Sequence, residues 1–201
     1  EDKYMKMINR EIGIMIHAQH PTIIKFFGYS LKDFDGFPNV VIFMEYAAHG
    51  SVTEILQNAR NSHPNKMIDN TVRQIILVGV ARGMMHLHSH HIIHRDLKPD
   101  NVLIDEFYRP HITDFGLSKM YETGNSANQS RTCGTSIYKA PEVITNRQYS
   151  EKSDVYSFAI FMYEVLTEEV PFPKFLNNEI TEFNFNQKVV FENMRPTFSV
   201  P

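Results

Sequence analysis

A single cysteine, only nine glycines with none clustered, no excess of positive charge and no long apolar run set the limits on this 201-residue chain. Cys133 has no partner in the sequence. That excludes a disulfide framework and a cysteine-built zinc site, and fits a reducing compartment, of which the cytoplasm is the simplest. A formal charge of −3 and a pI near 6.4 offer no electrostatic footprint for nucleic acid, and no basic run marks a membrane surface. Charged and polar residues interrupt every apolar stretch before the ~20 residues a spanning helix requires, so no membrane insertion is expected. Repeats and low-complexity tracts are absent as well. What is there is ordinary for a folded globular chain: 42% hydrophobic and 21% charged residues, enough for one substantial core and part of a second.

Periodicity lays out the elements. Met5, Ile8, Ile12, Met15 and Ile16 recur every three to four residues, which predicts a helix ending before His20-Pro21. The β-branched and aromatic stretches Ile23 to Tyr29 and Asn39 to Tyr46, separated by Asp33-Phe34-Asp35-Gly36, predict two strands joined by a turn. Ser51 can cap a short helix, and Asp69 a longer one whose Val72, Ile76, Val80, Met84 and Leu87 make a continuous apolar face. Val102 to Ile104 and His111 to Thr113 are short strand candidates. Residues 117–139 are polar and aperiodic and read as a mobile loop. Ser153 to Thr167 is apolar on nearly every side, which predicts a buried helix, and the Phe- and Asn-rich tail shows no clear helix.

The densest chemistry lies in His94-Arg95-Asp96-Leu97-Lys98-Pro99-Asp100-Asn101 and the later Asp114-Phe115-Gly116. Together they supply a proton acceptor, a cation and two oxygen donors for metal, the ingredients of phosphoryl transfer, where catalysis is mostly alignment and charge neutralisation. The run His86-Leu87-His88-Ser89-His90-His91 invites a zinc reading, but zinc needs ligands that converge. A helix ending near His90 would fan them out, and histidine also suits a helix C-terminus.

These segments, followed by Ala140-Pro141-Glu142, resemble the eukaryotic protein kinase family. The resemblance implies an α+β, bilobal fold: a small-lobe remnant over residues 1–46, then hinge and mainly helical large lobe over 47–201. It implies ATP and Mg²⁺ as cofactors and Ser or Thr hydroxyls of proteins as acceptors. Asp96 would be the base, Lys98 would reach the γ-phosphate, and Asn101 and Asp114 would hold the metal. Leu103 would floor the adenine, although core packing accounts for it equally well. Glu45 and Ala47 would form the hinge that reads the adenine edge, with Met44 guarding the back pocket. Glu11 would pair with a strand lysine, and Met15, Phe26, His94 and Phe115 would stack between the lobes on Asp154. Lys98, and Thr135 within Gly134-Thr135-Ser136-Ile137-Tyr138-Lys139-Ala140-Pro141-Glu142, are similar to the Ser/Thr-specific branch, where the Thr bonds the catalytic Asp and Lys. Asp154-Val155-Tyr156-Ser157-Phe158 is similar to the tyrosine-kinase-like group. Arg95 before Asp96 implies gating by phosphorylation, at Ser130 or Thr132, by an activating kinase or by the protein itself.

The sequence departs from the family at both ends. No G-x-G-x-x-G is present, no strand lysine precedes Glu11, and no arginine is assigned to Glu142. The reading at this stage is an excerpt of an intact domain whose last helices are not included, with a catalytically silent scaffold as the alternative. An excerpt of that kind is expected to be inactive alone.

Overall fold

The computed structural model describes residues 12–61, 68–115, 119–120 and 136–198. A helix, α1, is described over residues 12–17, and strands β1 (Phe26–Ser30) and β2 (Val41–Met44) pair antiparallel beside it. Then follow α2 (Val52–Asn61), α3 (Asn70–Ser89), β3 (Ile92–Ile93), β4 (Val102–Ile104), β5 (Pro110–Ile112) and β6 (Lys119–Met120). The chain continues through α4 (Pro141–Asn146), α5 (Glu151–Thr167), α6 (Pro173–Leu176) and α7 (Glu182–Phe191). β3 pairs with β6 and β4 with β5, so a small α+β part precedes a mainly helical one. No described helix is long and apolar enough to cross a membrane.

Local chemistry fixes the ends of these elements. In the β1–β2 turn, Asp33 Oδ1 accepts from the backbone of Asp35 and Phe37 at 3.0 and 2.9 Å, while Oδ2 accepts from Asn39 Nδ2 at 2.7 Å. Gly36 supplies the left-handed backbone there, with φ of 84°. The Asn39 amide, aided by backbone N–H groups and opposed by the partial desolvation of the carboxyl, holds Asp33 below its ordinary range. Ser51 and Glu54 cap α2 reciprocally: Glu54 N–H donates to Ser51 Oγ at 3.2 Å and Ser51 N–H to Glu54 Oε2 at 2.9 Å. Asp69 caps α3 as its position predicted, accepting from Thr71 N–H at 3.2 Å.

One apolar cluster joins both parts of the molecule. Ile14, Met15, Ile23 and Ile24 from the small part pack with Val52, Leu56, Ile76, Val80, Leu87, Val102, Ile112, Phe115, Phe161 and Val165. Each such side chain, fully buried, contributes roughly 1.5–3 kcal/mol. A second cluster gathers Ile137, Tyr138, Ile160, Phe172, Phe185 and Val189 against the middle of α5.

Three expectations need correction. The α5 helix is not buried all round: Val155, Ala159, Met162 and Leu166, one stripe at helical spacing, are exposed, because the described residues pack only against its other sides. Residues 117–139 are not wholly aperiodic, since Lys119–Met120 pairs with β3 and Ser136–Tyr138 forms a 3-10 turn. The tail does contain helices. Thr181 Oγ1 caps α7 by accepting from Asn184 N–H at 3.3 Å, and Phe185 and Val189 bury its inner face.

Helix α3 lies so close to β5 that two of its positions have no room for a β-carbon. A Cβ on Gly79 would overlap the Pro110 ring, and one on Gly83 would lie 2.7 Å from both Ile112 Cδ1 and Thr22 Oγ1. Gly79→Ala gains about 1 kcal/mol of helix propensity but overpacks against a rigid ring, which costs about 1–3 kcal/mol. Net destabilisation is therefore expected, read as a lower urea midpoint at unchanged slope. A raised midpoint would show that the β5 contact yields.

Candidate active site

The geometry starts from one carboxylate. Asp154, fully buried in the first turn of α5, accepts from His94 N–H through Oδ2 at 2.8 Å and from Arg95 N–H through Oδ1 at 2.9 Å. His88 Nε2, from the end of α3, lies 2.9 Å from the same Oδ2. The loop is thus suspended between two helices at a point where Arg95 takes a left-handed φ of 71°. Such backbone is strained for a residue with a side chain and persists only where its surroundings hold it.

Below that anchor the loop closes on Asp96. Lys98 Nζ lies 2.9 Å from Asp96 Oδ2, and Asn101 Nδ2 donates to the Asp96 carbonyl at 2.8 Å and to Oδ2 at 3.1 Å. Both amide hydrogens of Asn101 therefore face Asp96, and its Oδ1 has no hydrogen-bond partner among the described residues. The short β4–β5 hairpin brings the second segment alongside, with Val102 opposite Ile112 and Thr113 N–H donating to the Asn101 carbonyl at 3.0 Å. Asp114 follows at a left-handed φ of 62°. His94 ties the segments together. Thr113 O can only accept, so Nε2 at 3.1 Å carries the hydrogen, and Nδ1 accepts from Asp96 N–H at 3.3 Å.

The remaining predicted residues fall on the same framework. Met15, His94 and Phe115 are buried, Phe26 is half-buried, and the His94 and Phe115 rings are 5.5 Å apart. Met44 pairs with Phe26 across the sheet and is exposed. Glu45 N–H donates to Lys25 O at 2.9 Å, and Lys25 N–H to Glu45 Oε1 at 2.7 Å. The Glu45 carbonyl and the Ala47 N–H have no hydrogen bond among the described residues. Beyond them, Ser51 bridges to Leu103 and Ile104 N–H donates to Gly50 O at 2.8 Å, so the segment after β2 is knit to the strand that leaves Asn101. An open groove lined by Tyr46, Ala47, His49, Gly50 and Glu54 runs along it. Arg95 lays its guanidinium 4.9 Å from the Tyr149 ring. Glu142 sits in the first turn of α4 with no ion pair to a described residue. Glu11, Thr135, Ser130 and Thr132 lie outside the described residues.

Sequence reasoning missed two polar networks. Glu164 of α5 receives the Tyr138 hydroxyl at 2.6 Å and Arg60 Nη2 at 2.8 Å, linking α2 to the turn before α4. Burial, then the Glu164 charge, pushes the Tyr138 phenol far above its usual range. His111 Nδ1 lies 3.0 Å from Glu45 Oε1 without the alignment of a hydrogen bond, and its Nε2 lies 3.4 Å from Asp105 Oδ2. Neither network leaves a short motif; each joins residues far apart in the chain. The histidine run does fan out, with His88 directed to Asp154 and His86 and His90 to another side of α3. No group of three or more metal-binding side chains exists among the described residues.

The His94–Asn101 loop, held to α5 by Asp154, and the Asp114 segment are joined through one hairpin in an α+β fold of two unequal parts, a small one with a two-stranded sheet and a mainly helical one. Comparison with known proteins gives the family: the protein kinase domain matches residues 1–201, and the chain belongs to that family. It is 40% identical over 154 residues to human mitogen-activated protein kinase kinase kinase 13, covering 77% of this chain and 15% of that protein. It is 40% identical over 174 residues to the provisionally named serine/threonine-protein kinase/receptor R826 of Acanthamoeba polyphaga mimivirus, covering 86% of this chain and 10% of that protein. A Dictyostelium discoideum relative named as the probable serine/threonine-protein kinase drkB is 34% identical over 173 residues, covering 85% of this chain and 23% of that protein. The chain spans less than a quarter of the length of each.

Removing the anchor tests the geometry. Asp154→Ala takes the acceptor from one buried and one half-buried backbone N–H and leaves His88 without its carboxylate, so a loss of about 3–5 kcal/mol is expected from denaturant unfolding. A loss below about 1 kcal/mol, within the range of an ordinary surface substitution, would mean that the loop holds its shape unaided.

Proposed function

We propose that this chain is the catalytic part of a protein serine/threonine kinase that transfers the γ-phosphate of ATP, bound with Mg²⁺, to Ser or Thr hydroxyls of protein substrates. The observation that carries the reading is Asp96 clasped by Lys98 and Asn101 while the Asn101 Oδ1 is left over beside the Asp114 segment. An amide oxygen and a carboxylate are hard donors, which fit Mg²⁺ completed by water and phosphate oxygens. When bound, the metal would neutralise charge on the phosphates.

The chain's own residues would do the rest. Asp96, oriented by Asn101, accepts the proton of the acceptor hydroxyl. Lys98, already 2.9 Å from Asp96, presents its ammonium to the transferred phosphoryl group. The Glu45 carbonyl and Ala47 N–H pair with the adenine edge, and Leu103 lies beneath it. Residues 1–46 act as the small lobe and 47–201 as hinge and large lobe. Met15, Phe26, His94 and Phe115 align the lobes on Asp154, Glu11 pairs with a strand lysine, and Met44 guards the back pocket. Thr135 joins Asp96 and Lys98, and Glu142 steadies the segment before α4. Arg95 receives an activating phosphate on Ser130 or Thr132, placed by another kinase or by the protein itself. The lone Cys133 suits an intracellular, reducing setting.

The test uses the full-length protein with radiolabelled ATP and a generic basic protein acceptor. Phosphoserine or phosphothreonine is expected. Asp96→Ala should lower turnover at least ~10²-fold with little change in nucleotide affinity. Asp114→Asn should abolish magnesium-dependent nucleotide binding. Full transfer by the Asp96 variant would remove it as base, and a full-length protein that binds no nucleotide would make this domain a scaffold.

A further inference from the structure

Histidines gather at one joint of the molecule, outside the candidate site. His20, in the loop after α1, lies 4.9 Å from the His86 ring, centroid to centroid, and His86 lies 4.3 Å from His90. The three rings form a column between that loop and the C-terminal end of α3. The outer two are tied: His20 Nδ1 lies 2.9 Å from Thr22 Oγ1, and His90 Nδ1 donates to the His86 carbonyl at 2.9 Å. The middle ring is not. Its Nε2 is buried with no hydrogen-bond partner among the described residues. A proton there would be a buried N–H without an acceptor, flanked by two rings that can themselves charge.

Electrostatics point the same way. Burial first, then the charges of His90 and His20, push His86 below the usual imidazole range, and no carboxylate is among the groups acting on it. Of the other ionisable residues nearby in sequence, His17 of α1 and Arg82 and His91 are exposed, and the half-buried His88, between His86 and His90, turns to Asp154, 2.9 Å from its Oδ2. From β5, which packs on α3, His111 turns instead to Glu45 and Asp105.

The joint matters because of what it holds. Thr22 sits against Gly83, and its carbonyl accepts from Ile112 N–H at 2.9 Å, while Ile24 N–H donates to the Ile112 carbonyl at 2.9 Å. Ile112 lies in the strand that leads to Asp114, and the far end of the column, His90, caps the helix that leads to His94 and Asp96. The loop after α1 is therefore seated where both segments of the candidate site leave the core.

We propose that the His20–His86–His90 column is a proton-sensitive latch, seating the loop after α1 against α3 while its rings are uncharged and releasing it when they are protonated. The sign follows from the lowered affinity of His86 for its proton. The released or unfolded chain binds that proton more readily, so the latch is fully closed above about pH 6.5, the ordinary imidazole value, and opens as pH falls below it.

Amide hydrogen exchange in the full-length protein tests this at pH 7.5 and 5.5, corrected for intrinsic rates. Residues 18–24 should exchange at least about threefold faster at the lower pH, as expected for a local opening. His86→Phe, which keeps a stacking ring but cannot titrate, should abolish the difference. His49→Phe, at a ring stacked 4.5 Å from Tyr108 elsewhere, should retain it. Equal acceleration in His86→Phe and wild type, or none in wild type, overturns the latch. Should His86→Phe fail to fold, NMR titration of the wild-type His86 ring decides: it must titrate below the ordinary imidazole value of about 6.5, and titration at or above that value overturns the proposal. Neither readout involves phosphoryl transfer, so the latch and the proposed activity can fail separately.

Discussion

Everything near the candidate site depends on where the Asp154 carboxylate spends its two oxygens. Three donors, two of them backbone, converge on a buried carboxylate, and its loss would take their shared acceptor from all three. That concentration lets a loop without regular structure keep Arg95 in a left-handed conformation. From there the constraint passes covalently to Asp96, by hydrogen bonds to Asn101, and through the hairpin to Asp114. Helix α5 therefore sets the geometry of Asp96, Asn101 and Asp114 without touching them all, and its apolar packing through Phe161 and Val165 keeps the anchor from moving.

Polar contacts inside this fold serve position more than stability. A buried pair such as Arg60 with Glu164 recovers little net energy, because taking both charges from water costs several kcal/mol. Its effect is directional, since Glu164 can satisfy Arg60 and Tyr138 together only if α2, α5 and the turn before α4 keep their spacing. The apolar cluster supplies the stability and would tolerate small slippage; the ion pairs and hydrogen bonds would not.

Much of this was legible in the chain. Segments with local causes came through: the caps at Ser51 and Asp69, the Asp33–Gly36 turn and the apolar face of α3 each depend on neighbours within one or two turns. The His94–Asn101 and Asp114–Phe115 segments stood out because phosphoryl transfer, the chemistry proposed for them, demands particular side chains at fixed short spacing. Features made by distant residues were not. Nothing in the spacing of Arg60, Tyr138 and Glu164 marks them as partners, and the contact of Glu45 with His111 needs the tertiary fold. The exposed stripe on α5 was misread because an all-round apolar helix says it can be buried, not which sides are covered. Helix α7 was missed because Phe183, Phe185 and Phe191 blur the i, i+4 pair, Phe185 and Val189, that faces the core.

The imidazole of His94 is a spacer with polarity. It must offer a lone pair toward the Asp96 amide and a hydrogen toward the Thr113 carbonyl, at opposite corners of one rigid ring. A hydroxyl carries both functions on one oxygen atom, and a carboxamide can aim its carbonyl lone pair and its N–H side by side, whereas the two ring nitrogens point them apart. The separation between the Asp96 loop and the Thr113 segment is thus written in the span of a five-membered ring.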